Sequence, residues 1–289
     1  MGTGKVRNCA AHPAWCDFIS QCLRVRYSPR NMQAFALNLA PKPALQPALH
    51  FDNVSKRYGP GPLILDRVSF AVEPGAFFGL AGINGAGKTS LIKCLLDLAD
   101  FSSGNISIFG APSRDFASRR RLSFLPERFM PPHYLTGRDF LRMMAALQRH
   151  AHDEATARAM CEKLDLPLDA LTLPVRAFSK GMTQKLGLAA TFLAQADLLV
   201  LDEPMSGLDP KARALVKDQL LSLRSAGRTL FFTSHQLADV EELCDRVAIL
   251  HQGQVAFGGT PQELLGSTGA PNLERAFLRV IDADASLTA

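Results

Sequence analysis

The stretch Gly82–Ser90, with the sequence GINGAGKTS, decides the fold of this chain. It matches the pattern GxxxxGK[ST], in which the glycine, lysine and hydroxyl positions are fixed. The glycines let consecutive backbone N–H groups curve around phosphate oxygens, where a Cβ would collide. An apolar run, AFFGLAG, precedes the stretch, and a helical pattern follows it from about Lys88 to Asp97. We therefore predict a phosphate-binding loop between a buried strand and a helix; the alternative is a tight turn without a ligand.

Two side chains of this loop have predicted chemical roles. Lys88 supplies a mobile positive charge for the outer phosphates of a nucleotide, and the Thr89 hydroxyl is a ligand for Mg²⁺. The helix that begins here adds the positive end of its dipole. The other loop positions predicted to contact the nucleotide are Gly82, Ile83, Asn84, Gly85, Ala86, Gly87 and Ser90.

A second acidic motif, LLVLDEP, begins at Leu198 and places Asp202 and Glu203 at the end of a buried strand. Ligands of open α/β sheets bind at the carboxyl edge of the strands. We expect Asp202 to hold Mg²⁺ through water and Glu203 to orient and deprotonate an attacking water. A plain strand-ending Asp would be the alternative if the motif stood alone, but burying two charges without partners is costly.

The order of elements predicts the fold class. Short strands alternate with helical patterns along most of the chain, which indicates an α/β fold with a largely parallel sheet covered on both faces. A helix is expected after Thr136, where Asp139 three residues later completes a capping-box pattern, and Phe140, Leu141, Met144, Ala145 and Leu147 form one apolar face. Further helices are expected over 153–164, 179–194, 210–225 and 236–244.

Composition limits the function classes. Of 289 residues, 47% are hydrophobic and 20% are charged, which excludes collagen-like and disordered chains. The longest apolar stretch, Leu186 to Leu201, is interrupted by Gln195 and Asp197, so a soluble chain is expected. The net charge is +5, but residues 1–30 hold five basic residues against one acid. The remaining chain is nearly neutral, which argues against a nucleic-acid partner.

The chain ends are expected to lie outside the folded domain. Residues 1–49 show neither helical nor strand periodicity, and we predict a disordered extension there, with Met32 as a possible start of translation and an organelle transit peptide as the alternative. The six cysteines match no metal-ligand spacing, so reduced thiols are expected. The domain itself is predicted over residues 50–281, followed by a tail at 282–289.

Four further motifs separate this chain from other nucleotide-binding proteins. They are FSKGMTQKL at 178–186, SGLDP at 206–210, TSH at 233–235 and Tyr58. In this order and spacing the sequence resembles the ATP-binding subunits of ABC transporters, whose signature is usually LSGGQ. The resemblance covers about 230 residues. It implies a P-loop NTPase (RecA-like) core with a small antiparallel β subdomain and a helical subdomain inserted at about residues 130–190.

The resemblance also implies a function and partners. It implies ATP and Mg²⁺ as ligands, ATP hydrolysis that drives transport, and a dimer with a second copy or a related ATPase subunit. In that dimer Ser179 and Gly181 begin a helix whose free N–H groups face the γ-phosphate held by the other subunit. A transmembrane permease on a separate chain is the implied partner, at the cytoplasmic face of the membrane.

The motif residues outside the loop have implied roles as well. The resemblance gives His235 a contact to the γ-phosphate, Tyr58 a stacking contact to adenine, and Asp209 a bridge between subunits. Each has an alternative: a structural histidine, a packed strand tyrosine and a turn-forming Asp before Pro210. For Ser179 the alternative is an ordinary helix N-cap.

Two departures from the family pattern are informative. Lys180 and Met182 stand where Gly and Gln are usual, and Glu127 in LPE stands where Gln is usual. Both variants resemble the bacterial exporter branch, and Glu127 offers an anionic oxygen to Mg²⁺. The alternative function is a soluble ABC-type ATPase that acts on ribosomes or DNA. Such relatives usually carry two ATPase modules, or a long coiled coil inserted between the phosphate loop and the signature. This chain has one set of motifs, and Ser179 follows Lys88 by 91 residues, which leaves no room for a coiled coil.

Overall fold

The computed structural model describes residues 46–287. The expectations for residues 1–45, including the start at Met32, and for residues 288–289 lie outside the described residues.

A six-stranded sheet forms the centre of the fold, in the order β10-β9-β3-β8-β7-β6. β10 pairs antiparallel with β9, and the remaining pairings are parallel. Every residue of β3, β7 and β8 is buried, as expected for parallel strands covered on both faces. The strands are β3 (Phe77–Ala81), β6 (Leu122–Leu125), β7 (Leu198–Asp202), β8 (Thr229–Ser234), β9 (Arg246–His251) and β10 (Gln254–Gly259).

A smaller antiparallel sheet packs against the first, in the order β2-β1-β4-β5. Phe51, Phe70, Phe78 and Phe231 join the two sheets, with ring centroids 4.6 Å apart for Phe51–Phe70 and 5.1 Å apart for Phe70–Phe78. Its strands are β1 (Leu49–Arg57), β2 (Leu63–Val72), β4 (Ser103–Ile108) and β5 (Ala111–Pro112).

Helices cover the large sheet and form the inserted subdomain. Their bounds are α1 (Lys88–Leu95), α2 (Phe116–Arg119), α3 (Gly137–Leu147), α4 (Glu154–Lys163), α5 (Lys180–Leu193), α6 (Pro210–Ser225), α7 (Leu237–Leu243), α8 (Pro261–Thr268) and α9 (Leu273–Leu287), with 3₁₀ turns at Asp169–Thr172 and Val175–Ala177. The segment from α3 to the beginning of α5 falls within the predicted helical subdomain. The predicted combination of an α/β core, an antiparallel β subdomain and an inserted helical region is confirmed.

The predicted helices agree with the structure to within two residues. The predicted Thr136 N-cap of α3 is present, since Asp139 N donates to Thr136 Oγ1 at 3.1 Å. The Asp139 carboxylate accepts from the Thr136 hydroxyl at 2.7 Å rather than from the Thr136 backbone N–H, so only half of the predicted capping box forms. The predicted apolar face of α3 needs one correction. Phe140, Leu141 and Ala145 are buried, but Leu147 is 39% exposed, because α3 ends there.

The predicted domain boundaries fall inside elements. Leu49 already belongs to β1, where it pairs with Val72 of β2 and Ile108 of β4, so the strand begins one residue before the expected boundary. At the other end, α9 continues through residues 282–287, which were expected to form a tail.

The helices α8 and α9 were not predicted. The local signal for α8 is clear in retrospect: Thr260 and Glu263 form a capping box, Pro261 opens the helix, and Gly269 ends it with φ 61°. Within residues 46–287, no helix combines the length and apolar character needed to cross a bilayer. Cys94, Cys161 and Cys244 are buried free thiols.

Candidate functional site

The order of strands in the large sheet gathers the predicted site. β3, β8 and β7 are adjacent and parallel, so their carboxyl ends meet at one edge. The loop Gly82–Ser90 follows β3, Glu203 follows β7, and His235 follows β8. The first and the last of these three motifs are more than 100 residues apart in the sequence, and the strand order brings all three to the same edge of the sheet.

The loop backbone needs its glycines. A Cβ on Gly82 would lie 2.5 Å from the carbonyl oxygen of Leu250. Gly87 has φ 110°, and a Cβ there would lie 2.8 Å from the Leu65 side chain. Gly87 is also the N-cap of α1 and offers no side-chain cap, so the first amides of this helix remain free to bind an anion.

Lys88 is buried beneath the loop. Its Nζ donates to the carbonyl oxygens of Gly82 at 2.6 Å and Ile83 at 3.3 Å, which ties the base of the loop together. Burial lowers the pKa of the Lys88 ammonium, while the carboxylates of Glu203, Asp202 and Glu127 oppose that shift. Lys88 thus lies in the field of three of the predicted acidic site residues.

Asp202 is held by two hydroxyl groups. Thr89 Oγ1 donates to Asp202 Oδ2 at 3.2 Å, and Thr233 Oγ1 donates to Asp202 Oδ1 at 2.6 Å. Asp202 is 3% exposed, and burial raises the pKa of its carboxyl, against which the two hydrogen bonds act. The contact between Thr89 and Asp202 joins the phosphate loop directly to the end of β7.

Glu203 and His235 form a pair at the edge of this cluster. His235 Nδ1 and Glu203 Oε2 are 2.8 Å apart, and Glu203 N donates to Thr233 Oγ1 at 3.0 Å. Glu203 has φ 50°, an uncommon conformation for a residue with a side chain, found where surroundings enforce it. Burial raises the pKa of the Glu203 carboxyl, and the nearby charges of His235 and Lys88 partly oppose this.

The donor set suits Mg²⁺. Thr89 and Asp202 present oxygen atoms side by side, and the exposed Glu127 is close enough for its charge to raise the pKa of Asp202. Mg²⁺ is usually bound by one or two carboxylates together with substrate phosphates and waters. Among residues 46–287, no group of three or more His, Cys, Asp or Glu side chains could hold a metal ion.

The predicted signature residues lie at the beginning of α5. Ser179 Oγ accepts from Met182 N at 3.2 Å and caps α5, while Ser179 and Lys180 are exposed. Gly181 has room beside it, since an added Cβ would lie 3.9 Å from the nearest atom, Gly207 O. Two contacts join α5 to the segment after Glu203: Gln184 Nε2 donates to Pro204 O at 2.9 Å, and the Lys180 side chain lies against Gly207.

Asp209 and Tyr58 lie at the ends of two other elements, α6 and β1. Asp209 Oδ1 accepts from Ala212 N at 2.9 Å, which makes Asp209 the N-cap of α6. Tyr58 follows β1 and is 47% exposed, and Lys56 Nζ lies 4.5 Å from its ring centroid.

Sequence reasoning missed two residues of this region. Thr233 is fully buried and bridges Asp202 to the backbone of Glu203. Its position within TSH, directly after the apolar residues 230–232 of the same strand, was the available signal. Lys56 was missed because a lysine on a strand carries no distinctive pattern.

The fold and this cluster define a P-loop nucleotide-binding protein. A family profile described as "ABC transporter" matches residues 65–206. The Nod factor export ATP-binding protein I of Burkholderia thailandensis is 37% identical over 228 residues, which cover 76% of this chain and 73% of that protein. The chain therefore belongs to the ABC transporter ATP-binding protein family, and the predicted resemblance is confirmed.

Two more comparisons agree. An uncharacterized ABC transporter ATP-binding protein of Synechocystis is 41% identical over 206 residues, which cover 70% of this chain but only 58% of that relative's length. A solved structure described as the ATP binding subunit of an ABC transporter superposes with a TM-score of 0.73 at 30% identity, and covers 81% of this chain and 99% of its own.

Proposed function

We propose that this chain binds and hydrolyses ATP and thereby drives transport across a membrane, as the nucleotide-binding subunit of an exporter. The observation that carries the proposal is the continuous hydrogen-bonded path Thr89–Asp202–Thr233–Glu203–His235 beneath a glycine-rich loop. This path supports a site in which Asp202 would hold the metal, Glu203 would act as the base and His235 would contact the terminal phosphate.

Each residue of the path has a task in phosphoryl transfer, which depends mainly on positioning and charge stabilisation. The loop amides and Lys88 bind the phosphates. Thr89, Asp202 and Glu127 would hold Mg²⁺, which supplies further charge neutralisation when bound. Glu203 accepts a proton from the attacking water, and its raised pKa brings it nearer to the range useful for a base. His235 holds the water and the γ-phosphate in place.

The second half of the site would come from another subunit. Ser179, Lys180, Gly181 and Met182 lie at the exposed beginning of α5, where free amides can bind a γ-phosphate. Two copies, or one copy and a related subunit, would then enclose two ATP molecules. Hydrolysis removes contacts that only the triphosphate makes, so it would favour opening of the dimer.

Transport requires a partner. We propose a transmembrane permease on a separate chain, bound at the cytoplasmic face of the membrane around Glu127 and the helical segment 136–178. Two observations favour export: Lys180, Met182 and Glu127 match the exporter variants of the motifs, and the Burkholderia relative is named for export. The near-neutral charge beyond residue 30 gives no support to a nucleic-acid partner.

The variant Glu203→Gln tests the catalytic proposal. Loss of the base should slow phosphate release by about 10²–10⁴-fold while ATP binding persists, so the variant should accumulate as an ATP-bound dimer. Size-exclusion chromatography and a phosphate-release assay measure both. Glu241→Gln, the same change at an exposed position of α7, is the matched control and should behave as wild type. An unchanged turnover rate in Glu203→Gln would refute the proposed base.

Affinity purification of the full chain from detergent-solubilised membranes of its own cells tests the partner. We expect a polytopic membrane protein to co-purify in stoichiometric amount. Recovery with ribosomes would instead support a soluble ABC-type ATPase, and DNA-dependent ATPase activity would do the same.

A further inference from the structure

Lys56 is a buried lysine whose ammonium faces an aromatic ring. It lies near the end of β1, two residues before Tyr58, and is only 9% exposed. Its Nζ is 4.5 Å from the centroid of the Tyr58 ring, within the distance of a cation–π interaction. A lysine that is nine-tenths buried is uncommon unless its charge is compensated.

The ring is the compensating group that the structure offers. Within the described part of the chain, no carboxylate lies at ion-pair distance from Lys56. The neighbouring acid Asp100 pairs instead with Arg114 at 3.3 Å. The negative face of the Tyr58 ring therefore takes the place of a counter-ion.

This contact makes the two faces of Tyr58 unequal. Lys56 lies over one face and the residue as a whole is 47% exposed, so a stacking ligand would use the opposite face. Two aromatic groups stacked face to face repel each other through their negative faces. A cation behind one ring withdraws negative charge from it, which reduces that repulsion on the open side.

We propose that Lys56 is a positioning residue for the purine base of the nucleotide: it fixes the plane of Tyr58 and polarises the ring for stacking. The inference rests on the proposed function and on the stacking of Tyr58 against adenine that the family resemblance implies. It goes further by assigning base affinity to a pair of residues, and it predicts that Lys56 contributes nothing to recognition of the phosphates.

Equilibrium binding of two probes to the full chain separates these contributions. The probes are Mg²⁺–ATP and Mg²⁺–tripolyphosphate, which has the phosphates but no base. We expect Lys56→Met to weaken ATP binding by about threefold to tenfold and to leave tripolyphosphate binding unchanged. Lys56→Arg, which keeps the cation, should retain most of the ATP affinity. Arg57→Met removes the same charge from an exposed neighbour on β1 and should change neither affinity.

A double-variant cycle completes the test. In a Tyr58→Leu background, Lys56→Met should cause no further loss of ATP affinity, because the ring through which Lys56 acts is gone. Unchanged ATP binding in Lys56→Met, or an equal loss for tripolyphosphate, would overturn the inference while the proposed function stands. Unchanged ATP binding in Tyr58→Leu would remove the adenine platform and this inference together. Wild-type chain that binds neither probe would refute the proposed function itself.

Discussion

Two regions of this molecule use polar residues in opposite ways. The loop face comprises residues 82–90, 202–203 and 233–235, and the signature face comprises residues 179–182 and 206–209. On the loop face, Thr89 and Thr233 both donate hydrogen bonds to Asp202, which joins three different elements; Asp202 and Thr233 are buried, and Thr89 is exposed. On the signature face, Ser179 and Asp209 accept hydrogen bonds only from the first turn of their own helices.

This difference distinguishes the loop face, which is organised within one chain, from the signature face, which is suited to contact a second subunit. A buried polar network is stable only when its members satisfy one another, so the loop face is organised within a single chain. The signature residues are stable without a ligand, because their caps satisfy the local backbone and water reaches the rest. A helix beginning that is exposed and free of acidic residues in its first turn is suited to bind an anion brought by a second subunit.

The largest expected effect comes from mixing two inactive variants. Lys88→Met damages the loop face, and Gly181→Asp places an anion on the signature face, so each alone should lose about 100-fold or more in ATP turnover. In a mixed dimer one site would combine the intact loop of one chain with the intact signature of the other. The mixture should therefore recover turnover that neither variant has, measured by phosphate release.

The control for this experiment is Gly181→Ala. The space beside Gly181 accommodates a Cβ, since the nearest atom would be 3.9 Å away, so this variant should keep the fold and most of the activity. A mixture no more active than the variants measured separately, with Gly181→Asp still folded by circular dichroism, would contradict a shared site.

A smaller effect is expected inside the loop face, at Thr233. Thr233→Val keeps the shape but removes the hydroxyl that donates to Asp202 and accepts from Glu203 N. Leaving two buried groups unpaired should cost about 1–3 kcal/mol of stability each. The loss of orientation at Asp202 should weaken Mg²⁺ binding, and so raise the Mg²⁺ concentration needed for half-maximal activity, by about 10- to 100-fold. Thermal unfolding and the Mg²⁺ concentration for half-maximal ATPase activity measure these two effects.

Thr233→Ser keeps the hydroxyl and is the matched variant for this test. It should stay close to wild type in its Mg²⁺ requirement. A Ser variant as impaired as the Val variant would show that the hydroxyl alone does not explain the role of Thr233, and a Val variant with the wild-type Mg²⁺ requirement would contradict the role of the hydroxyl.

The smallest expected effect distinguishes the two roles of Asp209. Asp209→Ala removes the cap of α6 and should cost about 1 kcal/mol of stability. Asp209→Asn keeps a capping side chain but removes the charge, so the melting temperature should not change. If Asp209 also bridges subunits, as the family resemblance implies, the Asn variant should still lose about twofold to fivefold in ATPase rate. An Asn variant with wild-type turnover would leave Asp209 as a helix cap only.

Several elements could be predicted because their signals are local. A few neighbouring residues are enough to predict the glycine positions of the loop, the Thr136 N-cap that accepts from Asp139, and the buried runs that form β3, β7 and β8. The exact ends of the domain could not be predicted in this way. Leu49 belongs to β1 because Val72 and Ile108 pair with it, and neither partner is near it in sequence.

The sequence by itself determined which residues are candidates for the chemistry of this protein and in which elements they lie. A glycine-rich turn, an acidic strand end and a serine before a helix are specified by residue type and spacing, because backbone geometry and capping act over only a few residues. The tertiary structure decided which of them meet. Strand order brings Thr89 to Asp202 and His235 to Glu203, because hydrogen bonds between strands join segments that the linear order keeps far apart, whereas Ser179 is exposed and caps its own helix.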